Sequence, residues 1–401
     1  MKPITTVKLS LMMFLEFFIW GSWFVTMGTY LSKTLNASDI ENGMAYGTQS
    51  LGAIIAPFII GLIADRFFAA QRILAVLHLV GAALLYMLSQ QTDFSSFYPL
   101  ILGYMIAYMP TLALVNSVAF RQLSNPEKEF ARLRVWGTIG WIVAGLTIGW
   151  LAWESKNLLA NTFLLASGAS AILGVLSFFL PHTPPGAAGK SISFGDIIGL
   201  DALKLLKDSS FLVFFISSVL ICIPLAFYYQ EANKFFNEIN MSGAAAKMSL
   251  GQVSETLFMI LIPLFFRRFG IKTILLIGMG AWVARYLLFS FGNADSLSSF
   301  LYLGIILHGI CYDFFFVSGQ IYTEQRAGET AKSAAQGLIT LATYGVGMLV
   351  GFWLAGQITE SYKLEGGGHN WQQIWIIPAA IAGGVMLLFG IFFKGNQKTA
   401  Y

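Results

Sequence analysis

Lys247-Met-Ser-Leu-Gly-Gln-Val-Ser-Glu-Thr-Leu-Phe-Met-Ile-Leu-Ile-Pro-Leu-Phe-Phe266 sets Gln252 and Glu255 inside a run otherwise apolar enough to cross a bilayer. A spanning helix needs about 20 predominantly apolar residues, and this run supplies them. An acid near the centre of such a helix costs about 3 kcal/mol on insertion scales, so it faces a partner or an internal cavity and is a functional candidate by default. Glu255 therefore fixes both the fold class and the first site residue.

Working outward, the same composition runs through the chain. Of its residues 56% are hydrophobic and only 11% charged, against roughly 25% charged in soluble domains; the mean hydropathy is +0.69. Twelve stretches, from residues 9–31 to residues 372–393, are long enough for one span each. The expected fold class is all-α integral membrane with twelve transmembrane helices. Lys2 and Lys8 precede a first apolar stretch too long for a signal-peptide core, so it is read as a retained helix. Cys222 and Cys311 both fall inside spans and read as core packing, with neither a disulfide framework nor a thiolate metal site.

Lys and Arg positions set the orientation. With both termini cytoplasmic, that side receives Lys2, Lys8, Arg66, Arg72, Arg121, Arg267, Arg268 and Lys272 among others, while the opposite side receives Lys33, Lys156, Lys234, Lys247 and Lys363. That bias follows the positive-inside rule and leaves Arg134 and Arg285 as cations at or within the membrane. The net charge of +4 is thereby topological and not a nucleic-acid footprint.

The breaker-rich segment Pro181-His-Thr-Pro-Pro-Gly-Ala-Ala-Gly-Lys-Ser-Ile-Ser193 divides six expected helices from six. It predicts an N-terminal six-helix bundle over 1–181, a cytoplasmic linker over 182–208 and a C-terminal bundle over 209–401. A basic turn recurs after the second span, with Asp65, Arg66 and Arg72, and after the eighth, with Arg267, Arg268 and Lys272. Gly145-x-x-x-Gly149 and Gly347-x-x-x-Gly351 echo one another in the two halves, at spacings that let membrane helices approach closely. Together these support two pseudo-symmetric six-helix halves with a substrate site near the midplane, as in a major facilitator transporter.

Several segments then resemble the nucleoside:proton symporters of the major facilitator superfamily. They are Phe17-Phe-Ile-Trp-Gly-Ser-Trp23, Ala107-Tyr-Met-Pro-Thr-Leu112, Arg134-Val-Trp-Gly-Thr-Ile-Gly140, Gly199-Leu-Asp-Ala202, Gln252-Val-Ser-Glu-Thr-Leu-Phe258, Tyr312-Asp-Phe-Phe315 and Ala335-Gln-Gly337. Gly61-x-x-x-Asp65-Arg66 is the superfamily's loop signature in degenerate form. The resemblance implies a nucleoside site lined by Arg134, Thr138, Gln252, Glu255, His308 and Tyr312, and a proton-linked role for Asp313. His308, Tyr312 and Glu16 stand where that family is expected to carry Tyr, Phe and Gln. The resemblance also implies a bacterial inner-membrane location.

The residues support parts of this by themselves. Gln252 and Glu255 are three apart and share a helix face. A carboxylate that accepts, an amide that does both and a guanidinium that donates suit ribose hydroxyls and base amide edges. Glu255 could instead simply pair with Arg134. Asp313, among Tyr312, Phe314, Phe315 and Phe316, is a proton-carrier candidate, or alternatively a partner of Arg285 or a capping acid. Glu16 is a coupling acid or a carboxyl bonded to neighbouring helices. Thr138 lies one turn beyond Arg134, and His308 and Tyr312 are four apart, a platform for a planar base. Asp65 and Arg66 read as a cytoplasmic gating latch.

The chain has neither a His-Glu-x-x-His metal motif nor a phosphate-cradling loop, so no metal, no cofactor and no enzymatic activity are expected. The expected function is proton-coupled nucleoside import by alternating access, by a monomer in the lipid bilayer. A facilitator carrying a sugar or oligosaccharide, and a nutrient receptor that binds without transport, are the alternatives.

Overall fold

The computed structural model describes residues 3–59, 68–124, 126–184 and 200–394. Asp65 and Arg66, and most of the linker expected over 182–208, lie outside the described residues. An isolated bridge between Lys363 and His369 is the only β pairing among the described residues, and the remainder is helix and connection.

Ten helices among the described residues are long and apolar enough to cross a membrane. The helices Asp39–Ile59 and Pro126–Leu151 are also of spanning length but fall outside that set. The first opens on Asp39, Glu41 and Asn42, and the second on Glu127, Lys128, Glu129, Arg132 and Arg134, so their polar turns dilute the apolar ones.

The chain forms two compact units. The first comprises Met1–Ile192 with Ser242–Ser249. Its helices Pro3–Trp23 and Pro126–Leu151 cross closely because Gly140 carries no side chain: a methyl group there would strike the Phe14 carbonyl. Gly145 and Gly149 play the same part against Ala245, Ala246 and Ser249, so the small-residue spacing does mark a close helix approach. Helix Ala160–Ser177 packs on Pro3–Trp23 and on Ala70–Ser89, which in turn packs on Phe94–Phe120. The aromatic core runs through Trp23, Phe163, Tyr104 and Tyr108, with Trp23 and Phe163 stacked at 5.8 Å.

The second unit comprises Ser193–Met241 and Leu250–Tyr401. Its long helix Ser209–Glu238 packs against Met348–Ser361 and Trp371–Phe392, and Ile271–Phe291 also packs on Trp371–Phe392. Gly347 and Gly351 admit the backbone of Val219 and Cys222 and the side chain of Ala226. The Tyr286 hydroxyl donates to the Pro224 carbonyl, and its ring stacks on Trp375 at 5.5 Å. Cys222 and Cys311 are both buried free thiols.

Helix entries are marked where polar side chains replace the first missing backbone partners. Asp93 accepts from the Ser96 N–H at 3.0 Å, and Asp208 accepts from the Phe211 N–H at 2.8 Å. Bonds from the Ser95 hydroxyl and the Ser96 N–H hold the Asp93 carboxyl below its ordinary pKa. The Phe211 N–H, helped by Arg326, does the same for Asp208.

Two π turns interrupt the second unit's helices, at Asp313–Val317 and Leu341–Gly347. Such turns rotate the following helix and concentrate at functional sites. The two are joined side to side, because the Tyr312 hydroxyl, just ahead of the first, bonds the Tyr344 hydroxyl within the second.

Candidate functional site

Buried polar residues of the spans occur in both units. In the first unit, helix Pro3–Trp23 carries Glu16, which is fully buried. Its Oε1 accepts from the Thr111 hydroxyl at 2.6 Å, and its Oε2 lies 2.9 Å from His78 Nε2. His78 is 1% exposed, and its Nδ1 lies 3.2 Å from the Ser170 hydroxyl, which donates to the His78 carbonyl at 2.8 Å. The Tyr108 hydroxyl donates to the Glu16 carbonyl oxygen at 2.7 Å. Three helices thus meet at one carboxyl, with a fourth holding His78 through Ser170, and an acid buried in a membrane core is tolerated because each oxygen is satisfied.

Arg134 and Thr138 stand one turn apart on helix Pro126–Leu151, both half-buried. The guanidinium of Arg134 rests on the Phe17 ring, 4.0 Å from its centroid, a cation–π contact that Gly137 leaves room for. The chain therefore presents Arg134 beside Phe17, the first residue of the Phe-Phe-Ile-Trp segment.

In the second unit, Gly251, Ser254 and Gly309 let helix Ala244–Arg268 touch the segment at His308. The Ser254 hydroxyl donates to the Ile306 carbonyl at 2.5 Å. That approach puts His308 Nε2 3.7 Å from Glu255 Oε2. On the other side of the imidazole, Arg285 Nη1 lies 2.9 Å from His308 Nδ1. The ring itself stacks on Tyr228 at 5.2 Å and meets Tyr312 at 5.8 Å. Glu255 remains 19% exposed while His308 and Arg285 are sealed, so the row runs from an accessible acid to a buried cation. Gln252, one turn before Glu255, is half-buried on the same face.

Asp313 is fully buried, and among the described residues neither of its carboxyl oxygens meets a geometric hydrogen-bond partner. Phe314, Phe315 and Phe316 follow it into the interior. Arg285, the cation that the sequence could have paired with it, is bonded to His308 instead. Asp313 and Glu255 are within electrostatic reach of one another.

The structure thus brings Glu255, His308 and Tyr312 together, with Gln252 alongside, and sets Arg134 with Thr138. Two groups escaped the sequence reading: His78 as the partner of Glu16, and Arg285 as the partner of His308. Each is a lone ionisable residue in an apolar stretch, which was the available signal. A third set was also missed. Lys234, counted above as a loop cation, is 3% exposed and pairs with the buried Glu231 at 3.6 Å. Beyond it, His369 and the Trp371 indole both bond Glu238.

Comparisons with known proteins agree with one another. The family described as Nucleoside H+ symporter matches residues 3–398. YegT of Escherichia coli (strain K12) is 45% identical over 409 residues, covering 99% of this chain and 96% of that one. The xanthosine permease of Escherichia coli (strain K12) is 34% identical and covers 98% and 96%. The crystal structure of a mutant of the nucleoside transporter NupG is similar with a TM-score of 0.91 at 31% identity, over 97% of this chain and 100% of that chain.

Proposed function

The chain belongs to the nucleoside H+ symporter family, and from that premise we propose that it imports a nucleoside together with a proton by alternating access. It is a multi-pass membrane protein with the major facilitator fold. The observation that carries the reading to the site is Glu255: an acid left partly accessible in an apolar spanning helix, with His308 and Arg285 ranked behind it.

In this reading Arg134, Thr138, Gln252, Glu255, His308 and Tyr312 contact the nucleoside. The side chains offer what the ligand needs: acceptance from hydroxyls by Glu255, donation by Arg134, and aromatic faces for the base from His308 and Tyr312. Asp313 is the leading proton carrier, with Glu255 and Glu16 as further coupling acids. A buried carboxylate without a hydrogen bond is costly, so taking up a proton removes that cost and allows the carrier to change state. A one-unit pKa change across the cycle is worth about 1.4 kcal/mol, a tenfold bias. Asp65 and Arg66 serve as a gating latch. The protein works as a monomer in the bacterial inner membrane with both termini cytoplasmic, and the segment 182–208 links bundles 1–181 and 209–401.

Uptake of labelled uridine and adenosine into proteoliposomes, with and without an inward proton gradient, tests this. Accumulation that collapses on adding a protonophore is the expected result. Folded protein that binds nucleoside with no flux would overturn it in favour of a receptor.

A further inference from the structure

We propose that Arg285 is a positioning residue for nucleoside recognition: by donating to His308 Nδ1 it fixes the imidazole hydrogen on Nε2 and aims that N–H at Glu255. The inference rests on the nucleoside-binding reading of Glu255 and concerns a residue that never touches the ligand.

The argument begins with what arginine can and cannot do. A guanidinium donates only and stays charged. Its 2.9 Å contact with His308 Nδ1 therefore makes that nitrogen an acceptor, and the ring carries its hydrogen on Nε2. Which nitrogen of a histidine is protonated is set by the bond the other one makes. Here the unprotonated position is held by a cation, the reverse of the arrangement in which a carboxylate holds Nδ1–H. The hydrogen on Nε2 then points toward Glu255 Oε2, 3.7 Å away.

Arg285 is built into its place by aromatic rings. Its guanidinium carbon lies 3.5 Å from the centroid of Tyr228, 5.5 Å from that of Trp282 and 5.6 Å from that of Phe289. It is fully buried, and among the described residues its Nε and Nη2 find no hydrogen-bond partner. A cation sealed in this way costs several kcal/mol unless something offsets it. The ring faces offset part of that cost. A charge-assisted row of guanidinium, imidazole and carboxylate offsets more, and links the buried cation to the acid that remains 19% exposed. Glu255 thereby stands at the accessible end of that row.

Two measurements test this. In the wild-type chain labelled with 15N-histidine, NMR at neutral pH is expected to show one histidine, absent from H308L, with Nδ1 unprotonated and hydrogen on Nε2. R285K, which keeps a donor, is expected to retain that signature, and R285M to lose it. An Nδ1–H tautomer or an imidazolium in the wild type overturns the proposal without any ligand. The second measurement is a double-mutant cycle on uridine KM. R285M is expected to raise KM about tenfold, and H308L, which also removes a ring placed against the base, at least as much. If Arg285 acts through His308, the double variant is raised no further than H308L alone. A further rise of about tenfold in the double above H308L, or an unchanged KM in R285M, overturns the recognition role. Wild-type protein with the expected tautomer but no nucleoside uptake would overturn the functional reading and the recognition role with it, while leaving the Arg285–His308 bond established.

Discussion

His78 Nε2 and Glu16 Oε2, 2.9 Å apart and sealed from solvent, tie helix Ala70–Ser89 to helix Pro3–Trp23. Each partner is held from its far side as well: His78 Nδ1 lies 3.2 Å from the Ser170 hydroxyl, and Glu16 Oε1 lies 2.6 Å from the Thr111 hydroxyl.

Breaking that pair from one side leaves an unmatched polar group in the core. Glu16→Ala and His78→Leu are each expected to destabilise the protein by about 3 kcal/mol. Glu16→Gln keeps a donor toward His78 and is expected to cost less than half as much. Thermal unfolding in detergent checks this, and equal losses in all three would show that hydrogen bonding across the pair is immaterial.

Asp313→Asn preserves shape and removes the titrating group. Asn has nearly the volume and shape of Asp, so the variant keeps the side-chain packing among the Phe rings while losing the titrating proton. The expected outcome is nucleoside exchange without accumulation, measured as counterflow against gradient-driven uptake in proteoliposomes. Full accumulation by the variant would remove Asp313 from the coupling scheme.

Glu255→Gln keeps one acceptor and loses the charge. Uridine KM is expected to rise about tenfold, the size of one charge-assisted hydrogen bond. Read beside Asp313→Asn, a raised KM with accumulation intact would confine Glu255 to recognition, and loss of accumulation as well would show that it also couples.

Gly309 is where one helix lies on another. A Cβ there would come within 2.5 Å of the Ser254 carbonyl carbon. Gly309→Ala is expected to cost about 1–3 kcal/mol from overpacking and to move His308 away from Glu255. Lower thermal stability accompanied by a raised KM is the predicted signature; stability loss alone would separate the crossing from the site.

Asp208 offers a pH test outside the membrane. Its carboxyl caps helix Ser209–Glu238 through the Phe211 N–H and pairs with Arg326 at 2.9 Å. Its pKa is lowered on folding, so its contribution is fully present above the unfolded value and fades as pH falls through the folded one. The ion pair is 48% exposed at Asp208 and adds little. Asp208→Ala is expected to lose about 1 kcal/mol at pH 7, the worth of a helix cap, and to differ less from wild type as the pH is lowered below the ordinary Asp value of about 3.9 and through the depressed folded one. Unfolding midpoints at the two pH values decide it.

Much of this molecule is legible in its sequence because membrane residence is a local property. Twenty apolar residues announce a helix wherever they occur, and Glu255, Asp313 and Glu16 stand out because each is an acid in hydrocarbon. The glycine spacings at Gly145 and Gly347 likewise reported close helix approaches that the structure contains. Helix periodicity also sufficed to place Gln252 with Glu255 and His308 with Tyr312, since residues three or four apart share a face.

Partnership across helices is a different kind of information. His78 reaches Glu16 over 62 residues of sequence, and Arg285 reaches His308 over 23. The sequence by itself determined that this chain is a bundle of membrane helices carrying a few costly polar groups. Which groups meet was decided only by tertiary structure, because a helix fixes the face on which a side chain lies, while the crossing and rotation set by Gly140, Gly251 and Gly309 choose what stands opposite.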